Sequence, residues 1–149
     1  MEAPLEETIK SLAGHQFSGG IYSVEHWENF LLTECTGASL MQDGVVHPVV
    51  LFHMPIAGSG TSIAEMFALG EAESDLSIGI ESYDWEMFKQ VRESVSYNVS
   101  GQIMSAERCH KSTTEFFDRI KFQFEVRDEE TLVARTTIIW HYARSALLP

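Results

Sequence analysis

The stretch Pro48-Val-Val-Leu-Phe-His-Met-Pro-Ile56 decides the fold. It is apolar on nearly every side, and proline is accepted in the first turn of a helix, where a backbone N–H has no partner within the helix. A helix that is apolar all round must be buried. The stretch therefore predicts a buried helix that begins at Pro48 and is ended or bent by Pro55 and by the glycines at 58 and 60.

From about residue 76 the apolar residues follow a period of two, which is typical of strands. The predicted strands are 77–88, 94–103, 120–126 and 132–142. The polar run 127–131 predicts a hairpin between the last two. A sheet with one apolar face must be covered, and the helix from Pro48 is the available cover. The sequence thus predicts an α+β fold in which one antiparallel sheet wraps round a central helix.

Three other helices are expected. A short one spans about residues 5–14. A second spans about 24–36, with Ser23 as its N-cap. Its apolar residues at helical spacing are Val24, Trp27, Phe30, Leu31 and Cys35. Ser62 and Glu65 form a capping-box pattern for a third short helix that ends at Gly70.

Length and charge limit the possible functions. The 149 residues fit one domain, and 22 acidic against 10 basic residues give a net charge of −12. Such a charge disfavours nucleic acids and anionic membranes as partners. Cys35 and Cys109 form neither a disulfide framework nor a metal-ligand spacing, and the first residues are acidic rather than basic. These features predict a soluble cytoplasmic protein with no metal.

Several strings, in this order and spacing, carry a family resemblance. They are Ile21–Phe30, Val46–Met54, Tyr83–Ile103 and Phe117–Trp140. Together they resemble the MaoC-like hot-dog family, whose members hydrate enoyl thioesters or dehydrate 3-hydroxyacyl thioesters. The resemblance covers about residues 19–144, so we expect an N-terminal extension at 1–18 and a hot-dog domain at 19–149. A cone-shaped α+β fold of the cyclase type is the structural rival, and it is favoured if the segment from Pro48 is not wrapped by the sheet.

The resemblance breaks at the catalytic motif. Active members carry a Gly-Asp-x-Asn-Pro-x-His motif after the first helix, since hydration needs one group to take a proton from water and another to protonate the α-carbon. Gly37 matches the motif's glycine, but Ala38 falls at the aspartate and Asp43 at the histidine. The family's His-Gly pair, whose glycine N–H binds the thioester oxyanion, is replaced by His47-Pro48, and proline has no N–H.

The resemblance implies that this chain is one of the two subunits of an enzyme, namely the subunit that lacks the catalytic residues. In this hypothesis the chain is a non-catalytic, acyl-pocket-shaping subunit of a heteromeric enoyl-CoA hydratase, and a catalytic MaoC-like partner supplies the aspartate and histidine. The acyl group is bulky, such as a steroid side chain, and coenzyme A enters as part of the substrate rather than as a cofactor. One alternative is a self-sufficient hydratase or thioesterase that uses Asp43, His47 or Glu65. Another is a non-enzymatic module that binds an acyl thioester or a steroid-like ligand.

The candidate site residues each have a second interpretation. Asp43 and His47 would share one face of a helix and form a substitute acid/base pair, or Asp43 lies in a surface turn and His47 caps the central helix. His53 lines the ligand tunnel, or it is a core histidine whose hydrogen bonds are satisfied. Phe52, Met54 and Trp85 form the wall of the acyl pocket or belong to the core. Lys89, Arg92, Arg108 and Lys111 hold the phosphates of coenzyme A or are solvated strand ends.

Overall fold

A five-stranded sheet dominates the structure, a computed structural model that describes residues 2–145. The strands are β1 (Gly20–Tyr22), β2 (Ile78–Met87), β3 (Tyr97–His110), β4 (Phe116–Asp128) and β5 (Thr131–Arg144). They lie in the order β1-β3-β4-β5-β2, and every neighbouring pair is antiparallel. The four predicted strands and the hairpin between β4 and β5 are confirmed. The short β1 comes from the stretch that resembles the family's entry strand.

One face of the sheet is apolar, as the period of two predicts. On β4, Ile120, Phe122, Phe124 and Val126 are completely buried, and the residues between them are partly exposed. Successive side chains of a strand point to opposite faces, so this alternation places all four in the core. Phe122 packs edge-to-face on Trp140 of β5, which joins the two strands within that core.

The helices are short. They are α1 (Glu6–Lys10), α2 (His26–Thr36), α3 (Met54–Gly58) and α4 (Ile63–Leu69), with 3₁₀ segments at Pro48–Phe52 and Asp75–Ser77. At α4 the Ser62 cap is confirmed, since Ser62 Oγ accepts the Glu65 N–H at 3.1 Å and Gly70 follows the last turn. The Glu65 carboxylate accepts the Thr61 hydroxyl instead, so only half of the capping box is formed. Within residues 2–145, no helix is long and apolar enough to cross a bilayer.

Helix α2 begins at His26 rather than at residue 24, and its N-cap is Glu25, so the prediction of Ser23 as the cap is wrong. Val24 is completely buried, and its carbonyl accepts the Ser94 N–H at 3.0 Å. That bond fixes Val24 in the core, outside the helix, which therefore begins after it.

The central helix is not continuous. Pro48 opens it as predicted, but the first segment is a 3₁₀ helix that ends at Phe52, and α3 begins at Met54. The break is caused by Pro55, which has no N–H to donate to the carbonyl four residues earlier. His53 lies at the junction, where its N–H bonds the Val50 carbonyl three residues back.

The sheet wraps round α3, which removes the cyclase-type rival. Met54, Pro55, Ile56 and Gly58 are buried. Gly58 lies so close to β3 that a Cβ at this position would approach Val99 Cγ2 to 2.7 Å. Glycine is required there because any side chain would push the helix off the sheet.

The N-terminal residues pack against the same sheet. Ile9 of α1 is completely buried in the core, and Phe17 stacks on Phe124 with ring centroids 5.6 Å apart. Gln16 forms a β-bridge with Gln102 of β3. The division of the chain into 1–18 and 19–149 stays a prediction, and residues 1 and 146–149 lie outside the described part of the chain.

Three charged side chains, one each from β3, β4 and β5, meet in the interior. Asp118 of β4 is fully buried and receives the Arg108 guanidinium at 2.8 and 3.0 Å and Arg144 Nε at 2.8 Å. Arg144 also donates to the Gly70 and Glu71 carbonyls after α4. The hydrogen bonds that Arg108 donates to Asp118 raise the pKa of Arg108. This ion cluster ties β3, β4 and β5 to the end of α4.

Candidate functional site

Asp43 and His47 do not form a pair. Asp43 lies in an exposed turn with φ +59°, followed by Gly44 at φ +68°, so the segment between the two residues is not helical. His47 caps the 3₁₀ helix, and its Nδ1 accepts the Val49 N–H at 3.1 Å. Among residues 2–145 no hydrogen bond joins the two side chains. The interpretation as a turn and a cap is the one that the structure shows.

The position of His47 is fixed by Asn29, a buried residue of α2. The Asn29 side-chain oxygen accepts the His47 N–H at 3.2 Å, and its amide donates to Glu93 at 2.7 Å. The hydrogen bond from Asn29, together with that of His26, holds the pKa of Glu93 below its usual range. With its Nδ1 already accepting a backbone N–H, His47 has no free lone pair to act as a base.

An apolar groove lies beside the break in the central helix. It consists of two neighbouring cavities of about 160 and 220 Å³ that share Phe52 and Ile63. The other residues of the first are Phe67, Asp75, Ile78, Ile80, Tyr83 and Trp140. The second is completed by His53, Ile56, Ala57, Thr61 and Ser62. An apolar concave surface with a few polar side chains is typical of a ligand site.

Tyr83 fixes one wall of this groove. Its hydroxyl donates to the Phe52 carbonyl at 2.9 Å, and its ring stacks on Phe52 with centroids 5.3 Å apart. Burial raises the pKa of Tyr83 to about 12, so the hydroxyl stays a donor at neutral pH. Trp85 contacts Tyr83 edge-to-face on the same strand. The 3₁₀ helix is thereby held against β2.

Three polar side chains converge where β1, α2 and the central helix meet. Tyr22 donates its hydroxyl to Glu28 Oε1 at 2.6 Å. His53 Nε2 lies 2.9 Å from the same carboxylate oxygen and 3.3 Å from the Tyr22 hydroxyl. The Glu28 side chain is 12% exposed and that of His53 is 39% exposed. His53 is therefore hydrogen-bonded on one side and open to the groove on the other.

Comparison with known proteins gives the fold. No protein-family model matches the sequence, and no curated protein matches it significantly. A chain of the ChsH1-ChsH2 complex from Mycobacterium tuberculosis matches with a TM-score of 0.69 at 10% identity, over 96% of this chain and 91% of that one. The monoamine oxidase regulatory protein from Archaeoglobus fulgius gives 0.64 at 9% identity over 97% of both chains. This chain has the hot-dog fold.

A third structure extends the comparison. The C-terminally truncated HadBC complex, a 3R-hydroxyacyl-ACP dehydratase from Mycobacterium tuberculosis, matches with a TM-score of 0.61 at 13% identity. The match covers 86% of this chain and 96% of that one. At such identities the likeness fixes the fold alone, so the chemistry of this hot-dog chain must come from its own side chains.

The residues predicted to contact substrate are not all in the groove. Phe52 lines it, and Trp85 stands beside its wall. Met54 is completely buried and packs in the core under the 3₁₀ helix. Lys89 is exposed, and Arg92 is exposed with a hydrogen bond to the Asp43 carbonyl. A role of Lys89 and Arg92 in binding coenzyme A stays a prediction, as does a role of Phe52 and Trp85 in the wall of the acyl pocket.

The other two predicted phosphate contacts are elsewhere. Arg108 is engaged with buried Asp118 and with the Pro4 carbonyl. Lys111 is exposed after β3, and its ammonium lies 5.5 Å from the Phe117 ring. Within residues 2–145, no group of three His, Cys, Asp or Glu side chains could hold a metal ion.

Two apolar surfaces of this hot-dog chain face outward. On α2, Trp27, Phe30 and Leu31 are 64%, 44% and 53% exposed, whereas the buried face of the helix carries Asn29 and Thr33. The other surface is on β2, one of the two edge strands, where several large apolar side chains are exposed. They are Ile80, Trp85, Met87 and the following Phe88. A long, apolar edge strand is suited to pairing with another chain.

Sequence reasoning missed Tyr22 and Glu28 as site residues. His53 was a candidate, but 25 residues separate it from Glu28. No hydrophobic periodicity and no sequence motif connects the two residues. A carboxylate in the first turn of α2 is ordinary for the helix dipole, so Glu28 gave no separate signal. Their convergence depends on how α2 packs across the start of the central helix.

Proposed function

We propose that this chain is the acyl-pocket-shaping subunit of a heteromeric enoyl-CoA hydratase. A partner chain of the same fold supplies the acid/base pair that adds water to the double bond. The acyl group of the thioester lies in the groove between Phe52 and Ile80. A bulky acyl group, such as a steroid side chain, is the substrate class that the open groove favours.

The observation that carries this proposal is that the residues at the positions of the family's catalytic motif do not have the groups that hydration needs. Asp43 is in a surface turn, His47 is used as a helix cap, and Pro48 offers no N–H to an oxyanion. Both the proton-transfer pair and the oxyanion donor are therefore missing from the places where the family's motif would put them. The self-sufficient hydratase that uses Asp43 and His47 has no geometric support.

The apolar surfaces support a paired chain. The groove adjoins β2, and its lining includes Ile78, Ile80 and Tyr83 of that edge strand. A partner that extends the sheet at β2 would cover the exposed side chains there and close the groove into a tunnel. Trp140 also lines the groove, and its buried Nε1–H has no acceptor among the described residues.

Glu65, the other residue of the self-sufficient alternative, is exposed. Its carboxylate accepts the Thr61 hydroxyl at 3.0 Å, outside the cluster that contains His53. Thr61 lines the second cavity of the groove, but Glu65 itself lines neither cavity. We therefore keep the non-enzymatic binding module as the outcome that a test must separate from the hydratase subunit.

The proposal is tested with the purified chain and two ligands. We expect saturable binding of a long saturated acyl-CoA by titration calorimetry, together with no formation of 3-hydroxyacyl-CoA, followed by chromatography, when an enoyl-CoA is supplied. Free coenzyme A is the matched control, because it has the phosphates but lacks the acyl group. Equal affinity for free coenzyme A, or no binding of either, would contradict the groove as an acyl site.

A further inference from the structure

We infer that His53, held by Glu28 and Tyr22, is a general base that activates water for hydrolysis of an acyl thioester bound in the groove. The inference rests on the acyl-thioester binding proposed above and adds a reaction to it. The chain would then lack the hydratase pair and still carry a hydrolytic site of its own.

The hydrogen bonds assign the protons of the cluster. Glu28 Oε1 accepts from the Tyr22 hydroxyl, and the carboxylate favours an N–H on the nearest imidazole nitrogen, His53 Nε2. In the neutral ring this tautomer leaves Nδ1 with its lone pair. Among residues 2–145, Nδ1 has no hydrogen-bond partner. A base oriented by a carboxylate on its other nitrogen is the arrangement that general-base catalysis requires.

The burial of Tyr22 and Glu28 maintains these proton positions. Burial raises the pKa of Tyr22 far above its usual value, and the hydrogen bond to Glu28 adds to the effect. The phenol therefore remains a donor to the carboxylate. Glu28 itself is nearly shielded from water, at 12% exposure, whereas His53 lines the cavity with Phe52, Ala57 and Thr61. The cluster thus has a protected positioning side and an open reacting side.

The reaction balances with these groups. Nδ1 of His53 takes a proton from water, and the resulting hydroxide oxygen forms a bond to the thioester carbonyl carbon. The tetrahedral intermediate collapses, the C–S bond breaks, and the imidazolium returns its proton to the thiolate. The products are a carboxylic acid and a free thiol, and no oxidant, reductant or further reactant is needed. His53 is the catalytic residue, and Glu28 and Tyr22 are positioning residues.

A purely structural role predicts different results. The same three side chains bridge β1, α2 and the central helix, so they would stabilise the fold even without chemistry. The titratable groups that contact His53 are Glu28 from α2 and Tyr22 from β1. If Glu28 orients the imidazole for catalysis, its replacement lowers kcat while KM and the folded fraction change little. A structural contact would change the rate through folding alone.

The test measures release of free thiol from a panel of acyl-CoAs by the full chain. We expect His53→Gln to lower kcat by about 100-fold with little change in KM, as loss of a general base does. Glu28→Gln is expected to lower kcat with little change in KM, as loss of a residue that orients the base does. The matched control is His26→Gln, which removes an exposed histidine of α2 that is paired with the carboxylate of Glu93, in the loop between β2 and β3.

The readouts separate this inference from the proposed function. Each variant is also titrated with an acyl-CoA analogue that has a methylene between the sulfur and the carbonyl and cannot be hydrolysed. Binding of the analogue without hydrolysis of any acyl-CoA by the wild-type chain would overturn the inference and leave the binding proposal intact. Hydrolysis that persists in His53→Gln, or that falls equally in His26→Gln, would also overturn it. Absence of both binding and hydrolysis would contradict both.

Discussion

Replacing Asp118 by alanine is expected to lower the free energy of unfolding by about 3–5 kcal/mol. The carboxylate is the counter-ion of two guanidinium groups in the interior, and the Arg144 side chain is 0% exposed. Without it, Arg108 and Arg144 would face each other unpaired in a low-dielectric environment, which costs far more than the loss of one hydrogen bond. Urea unfolding followed by tryptophan fluorescence measures the loss.

The matched control for that variant is Asp128→Ala. Asp128 is an exposed carboxylate at the end of the same strand, so its removal is expected to change stability by less than about 0.5 kcal/mol. A loss for Asp118→Ala as small as that of the control would contradict the ion cluster as a buried, mutually dependent unit.

Replacing Ile63 by aspartate is expected to weaken acyl-CoA binding at least tenfold, or about 1.4 kcal/mol. Ile63 lines both cavities of the groove, and a carboxylate there must be desolvated when the acyl chain binds. Ile63 is also the first residue of α4, where a negative charge suits the helix dipole, so the variant should fold normally. Titration calorimetry with a long saturated acyl-CoA measures the affinity.

Added negative charge could itself repel coenzyme A, and Leu76→Asp controls for that effect. Leu76 is 97% exposed in the second 3₁₀ segment and does not line the groove. We expect this variant to bind acyl-CoA like the wild-type chain. Equal weakening in both variants would show that overall charge, rather than the groove, sets the affinity.

The strands could be predicted because their residues alternate without interruption. Ile120, Phe122, Phe124 and Val126 repeat at the period of a strand, and the structure buries all four. The central helix was predicted as one element because its composition is apolar on all sides. Its interruption lies next to Pro55, which has no N–H to donate to the Leu51 carbonyl. The proline was visible, but the choice between an end and a bend depends on packing.

Helix α2 shows where periodicity misleads. Trp27, Phe30 and Leu31 have the spacing of a core-facing stripe, and they are exposed. Asn29 is buried instead, because its amide and carbonyl satisfy backbone groups of Val45 and His47 across the loop. Helical spacing shows that the apolar residues share a face and leaves open whether the chain's own core or another chain covers it.

The candidate site was predictable in part for the same reason. The absence of the motif's acid/base pair could be inferred from Ala38 and Asp43, and that of its oxyanion donor from Pro48, since each position requires one specific group. The cluster of Tyr22, Glu28 and His53 was not readable, because it joins three elements that are distant along the chain. Contacts of this kind follow from tertiary packing, which a single sequence does not encode as a local pattern.

The central claim is that another chain supplies the hydratase acid/base pair. The most direct measurement is the rate of enoyl-CoA hydration by this chain co-purified with a hot-dog chain that has an intact Gly-Asp-x-Asn-Pro-x-His motif. We predict turnover by the pair and none by this chain alone, with loss of at least about 100-fold when the partner's motif aspartate is replaced by asparagine. Asp43→Asn and His47→Gln in this chain should leave the rate of the pair unchanged. Robust hydration by this chain alone, abolished by either of those two substitutions, would contradict the account.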